Sequence, residues 1–122
     1  MQHSTAEVLE YFWREPRIPG TQLAGSAGSI RAGTRISIGA DLNDGFLHNV
    51  GFRVFACPHI IACCNFLAEQ LQGEAVEELQ RVSVERLQLK FDIPVEKAGK
   101  LLILKDAATA CYQDYRHQQA AG

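Results

Sequence analysis

The stretch from Cys57 to Gly73, Cys-Pro-His-Ile-Ile-Ala-Cys-Cys-Asn-Phe-Leu-Ala-Glu-Gln-Leu-Gln-Gly, limits the possible folds of this chain more than any other. An extended run ends at Phe55-Ala56, a cysteine follows at once, and a helical pattern starts behind it. Pro58 suits the first helical turn, where its missing N–H is not needed, and Gly73 suits the position just past the end. Cys57 therefore stands at a helix N-terminus, where free N–H groups and the macrodipole favour a thiolate.

Spacing sorts the side chains of this helix. Ile60, Ile61, Cys64, Leu67, Ala68 and Leu71 form a core-facing stripe, which makes Cys64 a small buried hydrophobe. Asn65, Glu69 and Gln72 mark the wet face. His59 and Cys63 are four residues apart, so they share a flank that continues to Phe66. With Cys57 they offer three N/S donors, a set that suits tetrahedral Zn²⁺ or iron with one open position. Against that set, Cys57 and Cys63 are about 120° out of phase on a helix.

On either side the pattern is mixed. Ser4-Thr5-Ala6-Glu7 has capping-box spacing, and Val8, Leu9 and Phe12 recur at helical intervals. Pro16 should end this helix near Arg14, with Tyr11 and Trp13 as packing residues. Gly20, Gly25, Gly28 and Gly33 break up residues 20–33, which read as an irregular, mobile loop with a short edge strand near Gln22-Leu23-Ala24. A phosphate loop is disfavoured, because its lysine is absent. Thr34 to Leu42 alternates as a strand, Asn43-Asp44-Gly45 is a hairpin turn, and Phe46 to Phe55 returns. The alternation slips between Leu47 and Val50, the mark of a bulge, with His48 on the surface.

After Gly73, residues 74–80 read as a short acidic helical turn, and Ser83 caps a helix through Phe91 with Val84, Leu87 and Phe91 inward. Asp92-Ile93-Pro94 breaks it. Lys100 to about His117 reads as a terminal helix of about 27 Å, with the last five residues frayed. Leu101, Leu104, Ala108, Cys111, Tyr112 and Tyr115 are its stripe. The result is an α+β domain spanning residues 1–122, with a small antiparallel sheet of about three strands and helices mainly on one face.

Composition narrows the function. The 122 residues are 47% hydrophobic and 21% charged, as in an ordinary globular domain. A net charge of −2 argues against nucleic acid, and no apolar run approaches the ~20 residues that span a bilayer. No secretory signal is visible, and adjacent cysteines make a poor disulfide framework, so reduced thiols in the cytoplasm are expected.

Taken in order, these segments resemble the IscU/NifU-type iron–sulfur cluster assembly scaffold family over nearly the whole chain. Glu10-Tyr11-Phe12-Trp13-Arg14-Glu15-Pro16-Arg17-Ile18-Pro19-Gly20 is similar to the family's aromatic-x-x-Pro-Arg-Asn-x-Gly. Asp44-Gly45, Phe52 and Phe55-Ala56-Cys57 resemble its Asp-Gly turn and Phe-x-x-Tyr/Phe-Gly-Cys. Ile61-Ala62, Glu69 and Gly73 follow the next helix, Ile93-Pro94-x-x-Lys97 and Asp106-Ala107 the terminal region, and Asp114-Tyr115 its end. The resemblance implies a non-enzymatic role in cluster assembly with a cysteine desulfurase as partner.

The departures fall on the chemistry. The family uses three cysteines with an aspartate and a histidine. Where its first Cys-Gly-Asp belongs, this chain reads Ser29-Ile30-Arg31-Ala32-Gly33-Thr34. Where its His-Cys pair belongs, it has Gly99-Lys100, so Cys57 alone carries over. Arg31 and Lys100, if they replace ligands, set positive charge beside Cys57 and favour a nucleophile or persulfide carrier. The chaperone motif Leu-Pro-Pro-Val-Lys is reduced to Ile93-Pro94-Val95-Glu96-Lys97, which argues against Hsp70-type docking. Three functions stay open: a divergent scaffold-like carrier of iron or sulfur, or accessory factor, using Cys57; a Zn or Fe module on Cys57, His59 and Cys63; and an interaction or regulatory protein that binds no cluster or metal.

Overall fold

The computed structural model describes residues 2–15 and 17–121, with side chains described from residue 6 onward. In chain order the elements are α1 (Gln2–Phe12), β1 (Leu23–Ser29), β2 (Thr34–Asn43), β3 (Phe46–Phe55), α2 (Pro58–Leu71), a 3-10 helix (Val76–Arg81), α3 (Val84–Phe91), a 3-10 turn (Val95–Lys97) and α4 (Ala98–Ala121). The strands make one antiparallel sheet in the order β1-β2-β3. Ile36, Ile38 and Ala40 of β2 alternate inward and are almost fully buried, together with Ile60, Leu101 and Leu104 from the covering helices. This is the expected α+β architecture.

Strands β2 and β3 meet through Asp44 and Gly45, both at positive φ (55° and 83°), the geometry a two-residue hairpin turn requires. The register passes from Asn43↔Phe46 and Asp41↔His48 to Gly39↔Gly51, so β3 holds one extra residue. Asn49, at φ 51°, sits in that bulge, where the alternation slipped. The outer edge of this half of β3 is capped. Val50 N–H donates to Gln72 Oε1 at 3.2 Å, and Gln72 Nε2 donates to Val50 O at 2.7 Å.

The glycine-rich segment is a correction in extent. The edge strand expected near Gln22-Leu23-Ala24 runs on through the expected loop as β1, paired residue by residue from Leu23↔Ala40 to Ser29↔Thr34. Its small residues read as a loop because the reason for them lies elsewhere in the chain. Helix α4 crosses β1 so closely that a Cβ on Gly25 would overlap the backbone of Ala107 and Cys111.

Helix α4 also runs past the expected His117 to Ala121. Its last turns are tied to β1, with Ala24 N–H donating to Asp114 Oδ2 at 2.9 Å and Gln118 Nε2 to Gln22 O at 2.8 Å. The short acidic helical turn expected over residues 74–80 is a 3-10 helix, shifted to Val76–Arg81. Ser83 caps α3 as expected, its Oγ accepting from Arg86 N–H at 3.2 Å.

Helix α1 begins before Ser4, so Ser4 lies inside it and not at its cap. The Ser4 side chain and Pro16 lie outside the described residues. Tyr11 packs as expected, its ring 5.3 Å from Phe66 and 5.7 Å from Phe91, which pins α1 to α2 and α3. Trp13 does not. It follows the helix end, touches the edge of Phe12, and is 75% exposed. The chain then passes across the outer face of the sheet as a strap. A Cβ on Gly51 would stand 2.8 Å from Arg17 O, and one on Gly39 would stand 2.9 Å from Pro19 Cβ.

Candidate functional site

Three segments converge at one end of the sheet. Antiparallel pairing brings the β1–β2 turn, residues 30–33, to the end where β3 finishes, because Arg35 pairs with Phe55. Strand β3 leads through Ala56 to Cys57, the N-cap of α2. The start of α4 arrives because it runs along β1, with Ile103 beside Gly28. The 3-10 turn before α4 closes the site from the side, where Lys97 Nζ lies 3.2 Å from His59 Nδ1. The positions of Arg31, Cys57, Gly99 and Lys100 thus share one end of the molecule.

Cys57 is extended (φ −74°, ψ 162°), and its carbonyl accepts from Ile60 N–H at 3.0 Å and Ile61 N–H at 3.1 Å. Pro58 has no N–H, so among the first helical positions only His59 keeps an uncommitted amide. The expected field of free N–H groups is narrower than the sequence suggested. The thiol makes no cap hydrogen bond and is half-buried. Among the four cysteines it alone is not buried.

Burial governs the other thiols. Cys63, expected on a partly covered flank with His59, is fully inside the core. Burial first, and neighbouring Cys57 second, push its thiol up to about 12. Cys64 is raised well above the ordinary thiol range by burial and then by Cys63. Cys111 is pushed up to about 12 by burial, with Asp114 adding to it. The predicted core roles of Cys64 and Cys111 match this placement.

His59 is half-buried, and its imidazole titrates below the ordinary 6.5, first because burial disfavours its charge and then because Lys97 repels it. Its Nδ1 faces Lys97 and so accepts from the ammonium. Cys57 and Cys63 are close enough to repel as anions, but Cys57, His59 and Cys63 do not gather as a ligand set. Among the described residues no three His, Cys, Asp or Glu side chains are grouped to hold a metal ion.

Two features escaped the sequence. The Lys97–His59 contact joins residues 38 apart and leaves no periodic signal. Thr34, at the start of β2, is 1% exposed, and its hydroxyl has no hydrogen-bond partner among the described residues. Only its inward register, shared with Ile36 and Ile38, could have marked it.

A profile of the NifU-like N terminal domain family matches residues 4–121. The chain is 26% identical over 104 residues to "Iron sulfur cluster assembly protein 1, mitochondrial" of Eremothecium gossypii, covering 84% of this chain and 66% of that protein. It is 22% identical over 96 residues to "Iron-sulfur cluster assembly scaffold protein IscU" of Azotobacter vinelandii, covering 78% and 75%. The chain therefore spans just under two thirds of the length of the first of these relatives. Its fold is similar to that of a NifU-like N-terminal protein from Brucella abortus, with TM-score 0.72, 18% identity, and coverage of 91% and 92%.

Proposed function

The chain belongs to the NifU-like N-terminal domain family, and we propose that it serves iron–sulfur cluster biogenesis as a divergent, non-enzymatic carrier of sulfur on Cys57. One observation carries this reading: Cys57 is the single thiol of four that is not buried, and it stands where a strand hands over to a helix. The residues present do not fit a resident cluster. A cluster needs about four thiolate-like ligands. By the resemblance, Arg31, Gly99 and Lys100 stand where the family's other ligands belong, and none of them supplies a thiolate.

The partner is a cysteine desulfurase carrying a persulfide. The Cys57 thiolate attacks the terminal sulfur, forming the Cys57 S–S bond as the S–S bond on the desulfurase breaks and its cysteine leaves as thiolate. No oxidant is required. A cytoplasmic setting suits this chemistry, since it keeps thiols reduced. We assign no Hsp70-type chaperone to the chain, because Ile93 is buried and Lys97 is engaged by His59.

The test is anaerobic incubation with desulfurase, cysteine and ferrous iron, followed by iron, acid-labile sulfide and zinc analysis. The carrier reading expects persulfide without a stoichiometric cluster. A full cluster per chain would make the protein an ordinary scaffold. Stoichiometric zinc lost on Cys63→Ser would favour the metal module.

A further inference from the structure

The outer face of the sheet bears the opposite charge to the chain. No Asp or Glu occurs between Glu15 and Asp41 or between Asp44 and Glu69, yet these stretches hold Arg17, Arg31, Arg35 and Arg53. Asp41 is engaged by Thr21 N–H at 3.0 Å, Gln22 N–H at 3.3 Å and Asn49 Nδ2 at 2.9 Å, and Glu69, which lines a hollow with Glu15 and Arg17, is paired with Arg14.

Pairing puts the arginines together. Arg35 faces Phe55 and Ser37 faces Arg53, so Arg35 and Arg53 are diagonal neighbours on the face away from the helices. Both are exposed. Arg17, on the strap, lines a hollow with Arg53, and none of the three arginines forms an ion pair with a described residue. Two hollows flank the strap at Pro19, one of about 280 Å³ over Ser37 and Gly39 and one of about 370 Å³ at the β3 edge, where Phe12, Ile61 and Asn65 of the helices join its lining, and Arg53 lines both. Ile18 at 84% exposure and Phe55 at 51% add apolar surface at the rim.

We infer that this face, from Arg17 across Arg53 to Arg35 and Phe55, docks an acidic surface of a protein partner. The guanidiniums are free to pair with carboxylates in two-point contacts. The hollows and the exposed Ile18 and Phe55 take apolar side chains between those pairs. A polyanion such as DNA is disfavoured, because it would also meet the net negative remainder of a chain at −2. This inference goes beyond the sulfur-carrier reading and holds or fails apart from it.

The test is fluorescence anisotropy with a labelled peptide of alternating Glu and Leu, beside a Lys-Leu peptide and duplex DNA. The acidic peptide should bind, more weakly as salt rises. Arg35→Glu with Arg53→Glu should weaken it by about tenfold or more, while Arg116→Glu on α4 leaves it unchanged. Circular dichroism confirms folding, and Arg35→Gln with Arg53→Gln should give an intermediate loss. No binding of the acidic peptide, equal binding by the double variant, or tighter binding of DNA overturns the inference.

Discussion

Gly25 of β1 lies against the backbone of Cys111 in α4, with no room between them for a single methyl group. This contact seats α4 on the sheet and so carries the start of α4 to the Cys57 end. Gly25→Ala should destabilise the fold by about 2–3 kcal/mol in urea unfolding, through overpacking against rigid backbone. Gly99 is the contrast. It lies in α4, and nothing stands within 4 Å of where its Cβ would be. Gly99→Ala should stabilise by about 0.5–1 kcal/mol. If both substitutions cost the same, the contact between β1 and α4 is not as tight as described.

That pair also explains what the sequence revealed and what it hid. Strands β2 and β3, their Asp44-Gly45 turn, the bulge near Asn49 and helices α2 and α3 were legible, because each writes its own period, turn or cap locally. Strand β1 was not. Leu23 is its one large buried residue, and the reason for Gly25 lies 86 residues later in Cys111. Trp13 misled for a related cause: an aromatic near a helix end implies packing, but exposure is set by where the chain turns next. At the site, Cys57 was legible from the strand–helix junction. The Lys97 contact with His59 was not, since a long-range polar pair leaves no pattern in either segment.

Cys57 should be the first thiol to react. Brief alkylation of native protein at neutral pH, followed by peptide mapping, should label Cys57 well before the buried Cys63, Cys64 and Cys111, whose thiols burial holds in the protonated form. Faster labelling of Cys63 or Cys64 would mean that α2 is turned the other way.

His59 should titrate below 6.5 by NMR, because burial first and Lys97 second disfavour its charged form. Its folded value lies under its unfolded one, so the unfolded chain binds the extra proton. Stability should therefore fall as pH drops from 6.5 toward the folded value, and the His59 contribution should level off below it. Lys97→Gln should raise the His59 value partway and leave the burial part in place. A full return to 6.5 in that variant would show that Lys97, and not burial, dominates.

The most direct test of the central claim is sulfur loading of the native chain and of variants that each lack one cysteine. The native chain and Cys57→Ala, Cys63→Ala and Cys111→Ala are each incubated with a cysteine desulfurase and cysteine, then mapped by mass spectrometry. Cys57 as sulfur carrier predicts one added sulfur atom on the Cys57 peptide in the native chain and the two core variants, and none in Cys57→Ala. An unmodified Cys57 under conditions that load an ordinary scaffold, or equal loading of Cys57→Ala, would contradict it.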